Sequence, residues 1–378
     1  MALTVIIFIL TLLVLVVIHE LGHFLVAKKF GIRVLEFGFG IPPRAWGKKI
    51  GETLISLNWL PFGGFVRLLG EDEVSKEILE NERSFAAQTV GKRIAVVVAG
   101  VVMNLILAWL LFYIVLGFQG FKAQFPLFLD HHFIGVEQTN ESFVLVQNVA
   151  KASPAEGAGI KAGDRIIGIN GQPVNQNSNL VATLKKLAGE KVKLSLSNPE
   201  GADLREVEVT PRKDPPPGQG SLGVALAEVQ SARLEYQTPI QKILSGPTHS
   251  INIVAYSGRI LGRLIGQSIQ TQKLEPVSQT VSGPVGITGV VNDILTENKD
   301  PLLPYLNFVA ILSLNLAVMN VLPIPALDGG RLFFLVIELV TRKRVKAEAE
   351  KLIHSIGMAI LLALMLLVTF SDIRKIFS

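Results

Sequence analysis

The chain has 378 residues, of which 49% are hydrophobic and 18% are charged, and its formal net charge is +5. The charged share lies below the usual quarter of a soluble protein, so the composition indicates a membrane protein, and the length allows two or three domains. No cysteine is present, which excludes disulfides, cysteine zinc ligands and a cysteine nucleophile. Because the basic excess lies mostly in short loops, we expect no nucleic-acid partner.

The first apolar run extends from Leu3 to Ala27 and contains a cluster of ionisable residues. Its length suffices to span a bilayer, which takes about 20 residues of helix. Inside it, His19, Glu20 and His23 form an H-E-x-x-H motif. Positions i and i+4 share one helix face, so the two histidines can hold one metal ion while Glu20 stands beside it as a general base. Ionisable residues inside a span are costly, at about 2.5–3.5 kcal/mol each, so chance explains this cluster poorly.

The loop after this span carries eleven lysines and arginines up to Arg93. The positive-inside rule therefore predicts that this loop is cytoplasmic and that the motif faces the cytoplasmic half of the bilayer. Residues 33–70 read as strands interrupted by prolines and glycines. A β-hairpin re-entering the membrane beside the metal and a small cytoplasmic sheet both fit these residues. The second span is predicted at 94–118, where Asn104 is expected to form an interhelical hydrogen bond and not to act in catalysis.

Residues 119–225 have the features of a globular domain beyond the second span. Strands are predicted at 143–150, 192–197 and 205–211, and the turn at 162–171 resembles that of a protease-associated PDZ domain. A helix at 179–189 would flank its peptide groove, and residues 133–136 loosely resemble its carboxylate-binding loop. Such a domain binds an extended peptide as an added strand. Peptide capture and steric exclusion of bulky proteins both remain open. Residues 226–300 are predicted to form an amphipathic linker with a helix on the membrane surface.

The C-terminal part, 301–378, is predicted to contain spans at 304–322 and 353–370. The third span runs into a Pro- and Gly-rich break that ends in Asp328-Gly329-Gly330. An aspartate at membrane depth needs a partner, and a metal site on His19 and His23 lacks a third ligand. Asp328 is therefore the candidate third ligand.

Three motifs together resemble the site-2 protease family of intramembrane zinc metalloproteases. They are HELGH in the first span, the PDZ-like segment, and N-x4-N-V-L-P-x-P-x-L-D-G-G at the third span. The resemblance implies a multi-pass α-helical membrane protein with about four spans, a re-entrant β-hairpin and an inserted α+β PDZ domain. Its N-terminal half would be 1–118, with spans at 1–27 and 94–118 and the β-loop at 33–70. Arg331 stands where some members of the family carry histidine.

The resemblance also implies the site residues. His19, His23 and Asp328 match the ligands of one Zn2+ per chain, and Glu20 matches the catalytic glutamate. Asn315 and Asn320 match two asparagines that face the substrate. Gly38, Phe39 and Gly40 match a substrate-binding stretch of the β-loop. By the same resemblance the re-entrant β-hairpin is the preferred interpretation of residues 33–70.

The implied activity is zinc metalloendopeptidase hydrolysis within or near the transmembrane segments of single-span proteins, such as anti-sigma factors or signal-peptide remnants. Expected partners are these substrates, the lipid bilayer, and peptide or protein termini at the PDZ domain. The expected location is a bacterial inner membrane with the active site toward the cytoplasm and the PDZ domain outside; a thylakoid or plastid membrane is the alternative. A membrane-anchored PDZ scaffold with an inactive protease fold is the main competing function, but it has no need for Glu20 and Asp328. A metal transporter would need ionisable residues along several spans.

Overall fold

The computed structural model describes residues 2–71, 75–174, 176–198, 203–272, 282–298 and 300–377. The chain divides into two compact units, one built from 1–115 and 245–378 and the other from 116–244. In chain order the elements are α1 (Ala2–Lys29), β1 (Val34–Ile50), β2 (Thr53–Leu68), α2 (Lys76–Glu80), α3 (Val90–Phe118), β3 (Lys122–Pro126), β4 (Glu137–Val149), α4 (Pro154–Gly157), β5 (Arg165–Ile169), β6 (Gln172–Pro173), α5 (Asn177–Lys186), β7 (Val192–Ser197), β8 (Arg205–Val209), β9 (Val224–Glu235), α6 (Pro239–Ile243), α7 (Ser245–Thr271), α8 (Pro284–Glu297), α9 (Leu302–Val321), α10 (Asp328–Thr341) and α11 (Ala347–Phe377).

Among the described residues, four helices are long and apolar enough to cross a membrane. They are α1, α3, α9 and the stretch Glu348–Arg374 of α11. They coincide with the four predicted spans, so the described part of the chain has four candidate spans. The helices extend beyond most of the predicted limits because flanking polar residues, such as Lys28 and Lys29 in α1, continue the same helical turns.

Strands β1 and β2 form a two-stranded sheet in which part of β1 pairs with β2 on both sides. The first half of β1, residues 34–39, pairs on one side with residues 64–68 of β2 and on the other with residues 54–57. The second half of β1 pairs with residues 53–60. Among the described residues, 64–68 therefore forms one edge of this sheet and 44–50 the other. We call residues 64–68 the edge segment. The β-structure predicted for residues 33–70 is present.

The second unit contains a sheet in the order β3-β9-β4-β5-β7-β8, with β6 paired to β5. Its core packs Leu180 and Leu184 of α5 with strand residues such as Val144, Ile166 and Leu194. The three predicted strands are present as β4, β7 and β8. The pairing of β4 with β9 does not support the resemblance of residues 133–136 to a carboxylate-binding loop. These residues lie just before β4, and the first residue of β4, Glu137, pairs with Glu235, the last residue of β9.

The amphipathic linker predicted at 226–300 contains α6 and α7. Thr238 begins α6 with a capping box, in which its hydroxyl accepts from the N–H of Gln241. The N-terminal half of α7 packs closely on α3, since a Cβ on Gly246 would lie 2.3 Å from the carbonyl oxygen of Trp109. His249 is buried there against the ring of Phe112. This half of α7 is thus a packed helix and not a free surface helix.

Candidate active site

The two histidines of the H-E-x-x-H motif lie on one buried face of α1. Their Nε2 atoms are 3.2 Å apart. Asp328, which begins α10, brings Oδ2 to 2.8 Å from Nε2 of His19 and to 3.1 Å from Nε2 of His23. His19 and His23 are almost completely buried, whereas the side chain of Asp328 is about one-fifth exposed. Three potential ligand atoms thus converge at one point from residues 309 positions apart in the chain.

The break between α9 and α10 positions Asp328. Pro323 and Pro325 prevent the helix from continuing, and a Cβ on Gly329 would lie 1.9 Å from the carbonyl oxygen of Leu322. Gly329 and Gly330 therefore allow residues 322–325 to fold back on the first turn of α10. His354 of α11 supports the break, because its Nδ1 accepts from the backbone N–H of Ala326.

The convergent atoms fit a zinc ion. Zinc in proteins is usually tetrahedral, with nitrogen and oxygen ligands at about 2.0–2.2 Å, and this geometry places neighbouring ligand atoms about 3.3 Å apart. The three ligand separations lie close to that value. Two neutral imidazoles and one carboxylate are also a donor set that zinc accepts, and they leave a fourth position for water or substrate.

Groups on α3 orient both imidazoles. The Nδ1–H of His23 donates to the carbonyl oxygen of Val96 at 2.8 Å, which leaves Nε2 free to bind metal. The side-chain amide of Asn104 lies 3.4 Å from Nδ1 of His19, and its Oδ1 has no hydrogen-bond partner within the described part of the chain. Turning this amide so that Oδ1 accepts from Nδ1–H satisfies both groups. The interhelical hydrogen bond predicted for Asn104 is therefore present, and its partner on α1 is a candidate metal ligand.

Two glycines make this close packing possible. A Cβ on Gly22 would lie 2.3 Å from the carbonyl oxygen of Ala99, and one on Gly100 would lie 2.5 Å from Nε2 of His23. Any side chain at either position would separate α1 from α3. Sequence reasoning overlooked Gly100, although its position four residues before the polar Asn104 in an apolar helix is a usable signal.

A cavity of about 190 Å3 opens beside the three ligand atoms. Its lining includes Glu20, Asn104 and Asn320 together with His19 and Asp328. The structure therefore brings Glu20 and Asn320 to the candidate site. It does not bring Asn315 there, because that residue is exposed on α9 and lies outside the cavity lining.

The small sheet lies against the motif helix. A Cβ on Gly64 would lie 3.6 Å from Cγ of Glu20, so the edge segment passes directly beside this glutamate. Gly38 and Phe39, by contrast, lie in the inner part of β1 and have β2 partners on both sides. A Cβ on Gly40 would meet the carbonyl oxygen of Leu60 at 2.4 Å. The stretch Gly38 to Gly40 is therefore poorly placed to pair with a substrate backbone, and the edge segment is better placed.

Comparison with known proteins agrees with this geometry. The model of peptidase family M50 matches residues 7–364. The chain belongs to peptidase family M50. Among its relatives in this family, a Clostridium perfringens protein named for zinc metalloprotease activity is 33% identical, with 95% of each chain covered. The zinc metalloprotease RasP of Geobacillus kaustophilus is 28% identical over 96% of both chains. The regulator of sigma-W protease RasP of Bacillus subtilis is 27% identical over 99% of both.

Membership of family M50, the site-2 protease family, identifies the chain as a zinc metalloendopeptidase. Its four apolar helices fit an integral membrane protease. The predicted membership of the site-2 protease family is therefore confirmed, and so is zinc as the cofactor. The inactive scaffold is not favoured.

Proposed function

We propose that this peptidase cleaves single-span membrane proteins within or near their transmembrane segments. The observation that carries the proposal is the convergence of the H-E-x-x-H residues with Asp328 beside one cavity. The motif lies on α1, an apolar helix long enough to span a membrane. Anti-sigma factors and signal-peptide remnants belong to the substrate class. The relative named as a regulator of sigma-W protease supports the first of these.

In the proposed mechanism His19, His23 and Asp328 hold the metal. Zinc bound there would supply Lewis acidity toward the scissile carbonyl and the attacking water. Glu20 accepts the proton of the attacking water and then delivers it to the leaving amine. Asn320 lines the same cavity, and its amide N–H is suited to donate to the carbonyl oxygen as negative charge develops there.

A helical substrate presents a further difficulty, because its carbonyls are engaged in its own hydrogen bonds. Cleavage therefore requires local unwinding and new partners for the freed backbone groups. We propose that the unwound segment adds as a strand to the edge segment, whose Gly64 lies beside Glu20. This replaces the assignment of substrate binding to Gly38, Phe39 and Gly40. Asn315 is not part of this proposal, because it lies outside the cavity lining.

We further propose that the second unit, residues 116–244, is an extracytoplasmic PDZ domain that captures peptide termini, with the active site toward the cytoplasm. These limits replace the predicted 119–225, because β9 continues the sheet to Glu235.

Residues 224–235 of β9 pair with β4 on one side, and residues 231–235 also pair with β3 on the other side. Among the described residues, residues 224–229 have no strand partner on that second side. Helix α5 lies near this open stretch, and the backbone N–H of Asn177 donates to Glu228. An open strand beside a helix is the arrangement in which a PDZ domain adds a peptide.

The test of the main proposal is cleavage of a model single-span peptide by the detergent-purified protein. Mass spectrometry of the products should locate one scissile bond inside the apolar segment or next to it, and a zinc chelator should abolish the products. Cleavage only at bonds remote from the apolar segment, or cleavage that survives removal of zinc, would refute the proposal. Deletion of residues 122–235, which run from β3 to β9, then separates the two roles of the second unit. Loss of cleavage supports peptide capture, whereas cleavage of bulkier substrates supports exclusion.

A further inference from the structure

An ion pair joins the end of the edge segment to the helix that carries Asp328. Glu71 follows β2 by three residues, and its Oε2 accepts from the backbone N–H of Leu68 at 3.2 Å. This bond closes the turn that ends β2. The other oxygen, Oε1, contacts Nη1 of Arg331 in α10. The Glu71 side chain is 14% exposed and the Arg331 side chain 37% exposed, so the contact is partly sheltered from water.

Both ends of this pair are close in sequence to groups of the proposed mechanism. Arg331 stands three residues after Asp328, one turn further along α10 and on the same side of the helix. Glu71 fixes the end of a strand that passes Glu20 at Gly64. The pair thus connects the backbone edge proposed to receive the substrate with the helix that presents a metal ligand.

We infer that Glu71 and Arg331 are positioning residues that set the register of the substrate strand against the metal. The inference rests on the proposed docking of substrate along the edge segment. A strand rises about 3.3 Å per residue, so a shift of the edge segment relative to Asp328 by a fraction of that distance moves the scissile carbonyl away from the metal. A misplacement of about 1 Å lowers a reaction rate on the order of 10²-fold.

Among the described residues, the other ion pairs of the first unit do not join the edge segment to α10. Arg93 and Glu338 are 2.5 Å apart and tie α10 to α3. Glu52 lies in the turn between β1 and β2 and pairs with Lys28 and Arg83, away from α10. Glu52→Gln is therefore a matched control, since it removes the charge of a paired glutamate of the same hairpin without touching the α10 connection.

The experiment compares Glu71→Gln, Arg331→Gln, the double variant, Arg331→Lys and Glu52→Gln as full-length proteins in detergent. Each is assayed for bound zinc, for kcat and KM on a model single-span peptide, and for cleavage position by mass spectrometry. We expect Glu71→Gln and Arg331→Gln to keep one zinc per chain and to lose about 10- to 100-fold in kcat, with smaller changes in KM. Their products should spread over neighbouring bonds. The double variant should be no worse than either single variant, because both remove one interaction.

Arg331→Lys keeps the charge and should retain more activity than Arg331→Gln, and Glu52→Gln should match the wild type. Glu71→Gln and Arg331→Gln variants that cut the same single bond at the wild-type rate would overturn the inference. Loss of zinc in both would also overturn it, since the pair would then serve the metal site itself. Failure of the wild-type protein to cut the peptide would overturn the proposed function and the inference together. Wild-type cleavage with unchanged variants overturns the inference alone.

Discussion

Replacement of Gly100 by alanine tests how closely α3 packs against the candidate metal ligands. The added Cβ would lie 2.5 Å from Nε2 of His23 and 2.7 Å from Nε2 of His19, whereas ordinary contact begins near 3.4 Å. One or both rings must therefore move by about 0.9 Å relative to the helix. Metal sites tolerate deviations of only about 0.2 Å in ligand distance. We expect Gly100→Ala to fold and to lose its zinc.

The assay is zinc content after equilibration with a series of buffered chelators, with cleavage of the model peptide measured in parallel. Changes in groups that support metal ligands typically weaken metal binding by 10- to 100-fold, and we expect a loss of at least about 100-fold for this direct clash. Gly91→Ala is the control on the same helix, because its Cβ would have no neighbour within 4 Å. Gly100→Ala that binds zinc as tightly as Gly91→Ala would refute the description of the site.

Three further changes test separate parts of the account. Asn104→Ala should weaken zinc binding or lower kcat by about 10- to 100-fold, because His19 loses the group that orients its ring; equal zinc affinity and kcat would contradict this. Asn320→Ala should keep zinc and lower kcat by about 10²- to 10³-fold if its amide stabilises developing charge, and an unchanged kcat would remove it from the mechanism. Burial lowers the pKa of His249 from 6.5 to about 4. Folding therefore favours the neutral ring, so stability is full above pH 6.5 and should fall by about 2 kcal/mol toward pH 5. Denaturant unfolding in detergent should show this loss in the wild type and not in His249→Gln; equal loss in both would contradict it.

Most of the candidate site can be predicted from the sequence because local chemistry determines it. The spacing of His19 and His23 is fixed by helix geometry, and the need of a membrane-depth carboxylate for a partner points to Asp328. The four spans follow from hydropathy, and the breaks in the chain follow from prolines and glycines. These features depend on residues near one another in sequence or on strong energetic costs.

Features that depend on long-range packing are harder to predict from the sequence. The hairpin was predicted, but the double pairing of residues 34–39 was not, so substrate binding was assigned to Gly38, Phe39 and Gly40 and not to the edge segment beside Glu20. Asn315 has the same residue type as Asn320 and a similar setting in sequence. It nevertheless lies outside the cavity lining, because five residues turn a helix by about 500° and place it on another face. The contact of Asn104 with His19 likewise depends on how α3 packs on α1.

The central claim is that Glu20 acts on the substrate while His19, His23 and Asp328 hold zinc. The most direct test measures zinc content and peptide cleavage together in Glu20→Gln, with His19→Ala as the comparison. The account predicts one zinc per chain and no cleavage for Glu20→Gln, and loss of both zinc and cleavage for His19→Ala. Substantial cleavage by zinc-loaded Glu20→Gln would contradict it.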